Sequence, residues 1–512
     1  MPAPTETFTA DATRDDVLES LPESRFDLLV VGGGIVGCAV AWLAAHAGLR
    51  VALVERGDLA GATSSASSKL IHGGLRYLQM GDIALVREAH AERHALARVV
   101  APHLVRPRAF LVPVHRGGPI RATKLRAGLV LYGGLGRFAD GGGSLMRPRA
   151  ARSLVPPLRT AGLRSAGRYV DHETNDARLT IAVARAAARA GARIATRVEV
   201  RALRLAGGRV VGADCADVLG GATLAVHATC VVNATGPWVD ELRRMADPAA
   251  PRSLRFAKGA HLVVRLDEPW EAALTTPLED GRVQFANPWE GALLVGTTDE
   301  PFEGDPRDIR ATDEDIEQIV RESRASIEPG VVEHDRILSS FAGVRVLPQG
   351  EGETPSARRE TVFERGESGM LSIAGGKFTT FRRIALDALE RLRGDLGLHA
   401  LERAPVPLPD AADPDAVIDR LLRDHPSLPT HAARHLARFH GSDALELLAP
   451  AHDDPALLEP LAPGAPEVGA QVLWAREHEW ALTADDVLAR RTTLASLGRA
   501  QAARERVEGL LR

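Results

Sequence analysis

The stretch from Arg25 to Gly57, RFDLLVVGGGIVGCAVAWLAAHAGLRVALVERG, leaves this chain the fewest choices. Leu28 to Val31 is an apolar run of strand length, and it meets Gly32, Gly34 and Gly37 in the spacing G-x-G-x-x-G. Ile35 to Ala47 then fills one helix, and Arg50 to Glu55 is a second strand. The first glycine permits a tight turn, the second lets backbone approach a pyrophosphate, and the third lets the helix lie close on the strand with its N-terminus toward the phosphates. Glu55, at the end of the second strand, suits ribose hydroxyls and would repel a 2′-phosphate, which disfavours NADP. With 48 glycines in 512 residues the spacing alone recurs by chance, so the strand-turn-helix-strand-acid context carries the reading. A competing reading exists, because Leu28 to His46 holds no Asp, Glu, Lys or Arg and approaches the length of a bilayer-spanning helix. Three consecutive glycines near its start, and the ordinary apolar character of a buried parallel strand with its helix, favour the dinucleotide site.

A chain of 512 residues exceeds one simple core, so two or three domains are expected. A net charge of −4 argues against nucleic acid as a partner. The three cysteines, Cys38, Cys215 and Cys230, have no C-x-x-C spacing, which fits a reducing cytoplasm without a disulfide framework or zinc site. The first 24 residues are rich in Asp and Glu and lack an apolar core, so they read as a flexible N-terminal arm rather than a signal peptide.

After Gly57 comes a loop with Ser64, Ser65, Ser67, Ser68, Lys69, His72 and Arg76, which is either a turn cluster or the lining of a cofactor and an anionic substrate. Arg93 to Ala139 has no Asp or Glu but many Arg and Lys. Within it, Ile120 to Leu135 sets basic residues ahead of an apolar run, which suits either an anionic lipid surface or a solvated face beside a core helix. The acid-rich stretch from Asp299 to Glu317 reads as solvated surface rather than a metal site, and no metal is expected elsewhere.

TSSASSKLIHGGLRYL (63–78) resembles the signature of the FAD-dependent glycerol-3-phosphate dehydrogenase family. VDHETNDARLT (170–180), VNATGPWVD (232–240), KGAHLVV (258–264), VGTTDEPFEGDP (295–306), FAGVRVLP (341–348), GGKFTTFR (375–382) and EHEWALTADDVLARRT (477–492) resemble it in the expected order. Val36 and Cys38 depart from the usual Asn and Ala, and TPSARRE (354–360) is a loose version of the family's stretch. The resemblance implies an α/β fold: a Rossmann-like FAD-binding domain with an inserted mixed β-sheet substrate (cap) domain and a C-terminal all-α domain. The FAD-binding domain is expected over 25–80, 170–250 and 336–396. The cap is expected over 81–169 and 251–335, with membrane contact near 115–135. A linker at 397–414 then leads to the helical domain at 415–512.

The activity so implied is oxidation of sn-glycerol 3-phosphate to dihydroxyacetone phosphate by hydride transfer to flavin N5, with quinone as electron acceptor at the inner face of the cell membrane. Gly32, Gly34, Gly37, Glu55, Ser64, Ser65, Lys69, His72, Val198, Gly236, Gly375, Gly376, Lys377, Phe378 and Thr379 are the expected FAD contacts. Arg76, Tyr77, Arg345 and Lys377 are expected to hold the substrate, since guanidinium forks and ammonium groups suit phosphate oxygens. His261 is the first candidate for the base and His72 the second. An oxidase using O2, an amine-oxidising relative and a non-catalytic flavin-binding regulator remain as alternatives, and a homodimer is left open.

Overall fold

The computed structural model describes residues 14–79, 81–349 and 361–512. Arg25–Val31 is a strand buried on both faces, and it lies between Val51–Glu55 and Thr223–Asn233, parallel to both. Arg193–Thr196 extends this sheet on one side, and Leu371–Gly375 and Thr361–Arg365 extend it on the other. Strand order thus reverses at Arg25–Val31. That reversal opens a crevice beyond the carboxyl ends of the strands, where open α/β sheets hold their ligands.

Ile35–His46 leaves the glycine turn and is buried almost all round, which explains its lack of charge. It packs against Asp176–Arg189 and Phe381–Leu392 rather than against lipid. Among the described residues no helix is long and apolar enough to cross a membrane. Gly37 fixes how close helix and strand come, since a Cβ there would sit 2.0 Å from the Gly32 carbonyl oxygen. Gly32 itself has φ +112°, which only glycine adopts without strain.

The second sheet is mixed and, among the described residues, ten-stranded. Arg106–His115 runs parallel to Ala272–Pro277 and antiparallel to Leu163–Glu173. Leu254–Arg265 and Ile337–Pro348 form its longest pair, in which His261 faces Phe341 and Ala257 faces Arg345 across the ladder. Side chains two apart on a strand share a face, so His261, Phe341 and Arg345 come to the same side. After Phe381–Leu392 the chain continues as helices and turns with one isolated bridge, from Pro414–Asp424 to Ala500–Leu511. The architecture is α/β with a C-terminal helical domain.

The flexible arm expected over 1–24 is a helix at Arg14–Glu23, since Val17 and Leu21 form an i, i+4 stripe buried on the first sheet and Arg14 pairs with Asp217. Residues 1–13 lie outside the described residues. Within the acid-rich 299–317 stretch, Asp315 is buried with Lys258 at 2.6 Å and Asp299 with Arg345 at 2.8 Å. The other acids of the run, Glu300, Glu303, Asp305, Asp308, Asp313, Glu314 and Glu317, are exposed, as expected of solvated surface.

Gly37→Ala is expected to destabilise the fold by at least about 2 kcal/mol, because the backbones cannot separate without opening the sheet. Gly509→Ala, in a helix with no neighbour near its Cβ, should be neutral or stabilising. Urea unfolding midpoints check the pair, and equal midpoints for both variants would contradict the packing described.

Candidate functional site

One cavity of about 1290 Å³ starts at the glycine turn and continues to the second sheet. Pockets for single drug-sized ligands run to roughly 1,000 Å³, so this one has room for a dinucleotide and a small substrate together. Gly32, Gly34, Glu55 and Val198 line the end at the glycine turn, and Ser64, Ser65, Gly236, Gly375, Gly376, Phe378 and Thr379 also line the cavity. His72, Tyr77, His261, Arg345 and Lys377 line the end toward the second sheet.

At the first end Glu55 is half-buried. Its Oε2 accepts the Gly33 N–H at 2.7 Å and its Oε1 the Gly57 N–H at 2.7 Å. Burial pushes its pKa up against those two donors. A carboxylate has about four acceptor sites, so capacity for hydroxyls remains. Ser64 Oγ accepts the Ile35 N–H at 3.0 Å, which ties the Ser-rich loop to the start of the helix. Buried Cys38 Sγ lies 3.5 Å from the Gly33 carbonyl, so this departure from the family pattern packs behind the glycine turn. The other departure, TPSARRE, lies outside the described residues.

The Ser-rich loop crosses from the first sheet to the second. Thr63 Oγ1 donates to the Val344 carbonyl at 2.9 Å, and a Cβ on Gly343 would meet Ala66 at 2.8 Å. Behind the loop, the DHETND run supplies its braces. Asp176 takes the Ser67 N–H at 2.9 Å and pairs with the Lys69 ammonium, which also donates to the Ser65 carbonyl at 2.6 Å. Asp171 accepts the Gly73 N–H at 3.0 Å and the Tyr132 hydroxyl at 2.9 Å, and it also holds Arg93. The turn between His72 and Tyr77 is thereby fixed. Lys69 is the expected contact that the structure redirects: it lies buried behind the wall of the cavity, its charge neutralised by Asp176. Gly37 acts by packing rather than by lining. The side chain of Arg76 lies outside the described residues.

At the far end His261 Nε2 is 2.9 Å from Ser68 Oγ, and its ring stacks on Phe341 at 5.0 Å. Burial, with the charges of Arg345 and Lys69, lowers its pKa to about 3, so the imidazole is neutral. Arg345 Nη1 pairs with Asp299 at 2.8 Å, while its Nη2 donates to Thr297 Oγ1 at 3.1 Å. The guanidinium lies flat across the strand pair because Gly259 has no side chain: a Cβ there would be 2.9 Å from Nη2. Lys377 Nζ sits 3.5 Å from the centroid of the Tyr77 ring. Phe378–Thr380 follows and leads into a helix, with Thr379 Oγ1 accepting the His72 N–H at 3.2 Å. A neutral imidazole and two cationic side chains thus line one cavity.

Sequence reasoning missed Asp299, Gly259, Gly343 and Phe341. The strand register would have pointed to Gly259, Gly343 and Phe341 once Leu254–Arg265 and Ile337–Pro348 were paired, because they adjoin His261, Arg345 or the Ser-rich loop, whereas Asp299 lies outside that pair and reaches Arg345 from the loop after Ala292–Gly296.

The FAD dependent oxidoreductase family matches residues 27–382, and the C-terminal domain of alpha-glycerophosphate oxidase matches residues 405–511. Glycerol-3-phosphate dehydrogenase 2 of Mycobacterium tuberculosis is 35% identical, with 94% of this chain and 83% of that protein covered. The aerobic glycerol-3-phosphate dehydrogenase of Staphylococcus saprophyticus is 34% identical, with 85% and 81% covered. The solved structure of the Bacillus halodurans glycerol-3-phosphate dehydrogenase, complexed with FAD, superposes with a TM-score of 0.76 at 28% identity, covering 95% of this chain and 89% of that one.

His261 also sets a pH dependence of stability. Its folded pKa of about 3 lies below the free imidazole value of 6.5, so only the unfolded chain takes up this proton between those values. Its contribution is complete above pH 6.5 and declines as pH falls. The loss of urea stability between pH 7 and pH 5 should therefore be shallower in His261→Asn, by up to about 1.4 kcal/mol per pH unit below 6.5. Parallel slopes for the two proteins would contradict a buried neutral imidazole.

Proposed function

From a chain that belongs to the FAD-dependent oxidoreductase family, we propose an enzyme that oxidises sn-glycerol 3-phosphate to dihydroxyacetone phosphate and passes the electrons to a quinone. The observation that carries this reading is that His261, Arg345 and Lys377 line the same cavity as Glu55. The cavity fits FAD on this chain's own terms: Gly32 and Gly37 lack the Cβ atoms that would close the turn, and Glu55 waits at the ribose position. Bound FAD supplies the two-electron acceptor for the hydride leaving the carbinol carbon.

The protein's part is binding, orientation and proton transfer. Arg345 and Lys377 hold the phosphate, with Arg76 assigned to the same task from the sequence. Asp299 and Thr297 keep the Arg345 fork aimed, while Tyr77 holds the Lys377 ammonium in place. His261 takes the hydroxyl proton, and Ser68 fixes the orientation of its ring. A neutral imidazole with so low a pKa is a weak base in the empty cavity. The substrate's phosphate offsets the charge of Arg345 and strengthens it when the base is needed. Val198, Gly236 and the 375–379 turn are assigned to the cofactor on the same reading, with Ser64 and Ser65.

Electron exit is assigned to the helix Ala122–Leu135. Its Leu125, Leu129 and Tyr132 are buried, while Val130 is 52% and Leu131 47% exposed. Exposed Phe138 follows, and Arg121, Lys124 and Arg126 supply positive charge. Lys124 and Leu131 also line the cavity, so this apolar, basic surface adjoins the site and suits peripheral contact with an anionic membrane. Molecular oxygen is the second acceptor reading, favoured by the oxidase for which the matched C-terminal family is named.

Anaerobic sn-glycerol 3-phosphate is expected to bleach the yellow holoenzyme, and unchanged flavin absorbance would overturn the substrate assignment. Reoxidation by a soluble quinone analogue but not by air separates the quinone from the oxygen reading. Arg345→Ala should lower kcat/KM by about two orders of magnitude, the range for losing charge-assisted bonds to phosphate, while FAD stays bound. Unaltered steady-state kinetics in that variant would remove Arg345 from the site.

A further inference from the structure

The C-terminal helical domain meets the cofactor cavity at one place, and that place is held by charge. Arg490, from the short helical turn Val487–Arg491, lines the cavity beside residues 55–58 and 197–199. Its Nε donates to Asp58 Oδ2, and its Nη2 donates to Asp486 Oδ1 at 2.9 Å. Arg491 adds a two-pronged pair to the same Asp58, at 2.7 Å from each carboxylate oxygen, with both residues buried. Asp486 in turn accepts from Arg197 Nη2 at 2.7 Å. Arg197 precedes Val198, and Asp58 follows Glu55 by one short turn whose Gly57 carbonyl accepts the Arg197 N–H at 3.0 Å.

Two loops thus flank the end of the cavity where Glu55 sits, and both are tied to a single segment of the helical domain. Neither tie is needed to complete the first sheet, whose strands end at Glu55 and Thr196.

We propose that residues 486–491 belong to the FAD site: they clamp the 56–58 and Arg197 loops around the adenosine end of the cofactor and so set how long FAD is retained. Asp58, Asp486 and Arg491 are positioning residues, and Arg490 also borders the bound nucleotide. A guanidinium bridging two carboxylates is rigid, and the buried fork of Arg491 leaves Asp58 one orientation. Release of the adenosine end then requires these charged bonds to open. The assignment rests on the ribose lying at Glu55 and is independent of the proposed substrate.

The test follows release of FAD from diluted holoenzyme by recovery of flavin fluorescence, with circular dichroism at 222 nm recorded in parallel. Arg490→Gln should release FAD about tenfold faster, the factor for one charge-assisted hydrogen bond, while the dichroism signal holds. Arg490→Lys, which keeps the charge but cannot bridge both carboxylates, should fall between the two. Arg504→Gln, which breaks an exposed pair with Asp485 in the same domain, should release FAD at the original rate. Release from Arg490→Gln within about twofold of the original protein, or loss of dichroism in step with FAD release, overturns the proposal. Asp58→Asn should match or exceed the effect of Arg490→Gln. If that variant does not fold, Arg490→Gln decides alone, since Asp58 keeps Arg491.

Discussion

The Lys69 ammonium, buried against the Asp176 carboxylate, anchors the loop on which the other walls of the cavity meet. Ser64 reaches the Ile35–His46 helix, Thr63 the return strand of the second sheet and Ser68 the His261 ring, while Ala66 sits against Gly343. A buried pair of this kind adds little net stability over an apolar alternative, yet losing one partner costs about 3–5 kcal/mol. Its value lies in direction. The ammonium also faces the rings of Phe341 and Trp289 at 5.2 and 5.7 Å, so the loop is registered against the second sheet as well as the helix. With that registration the serine hydroxyls, which in a free loop would turn toward water, point to fixed neighbours.

The same economy recurs in the glycines. Gly37 sets the distance between helix and strand, Gly259 lets a guanidinium lie flat, and Gly343 admits the loop. Each is a place where backbone or charge must come closer than a methyl group allows.

The first of these was legible in the chain because its neighbours are sequential: strand, turn, helix and acid follow one another within one stretch. The Ser-rich loop and the 375–379 turn were legible as polar or glycine-rich punctuation, and both line the cavity. What sequence order could not supply was direction. Lys69 was read as a cofactor contact because it sits among residues that are, but its partner Asp176 lies on another helix and turns it inward. Asp299 and Asp315 looked like surface for the mirror-image reason, their cations being on strands that join only in the second sheet. The Arg14–Glu23 helix was hidden by its acids, since its two core contacts, Val17 and Leu21, make too short a stripe to outweigh them.

Asp58 and Arg490 stand 432 residues apart, and they close the same end of one cavity. During synthesis the glycine turn emerges well before the segment that fastens this end of the cavity. The core around Ile35–His46 closes on Asp176–Arg189 and Phe381–Leu392, so it needs most of the chain but not Arg490, and domains form in the order they leave the ribosome. Pairings of such long separation are also the slowest to form, because the loop they close carries its entropic cost until both ends are in place. If the proposed clamp retains FAD, a chain that has not yet reached Arg490 has its core in place around a cavity that holds the cofactor less long.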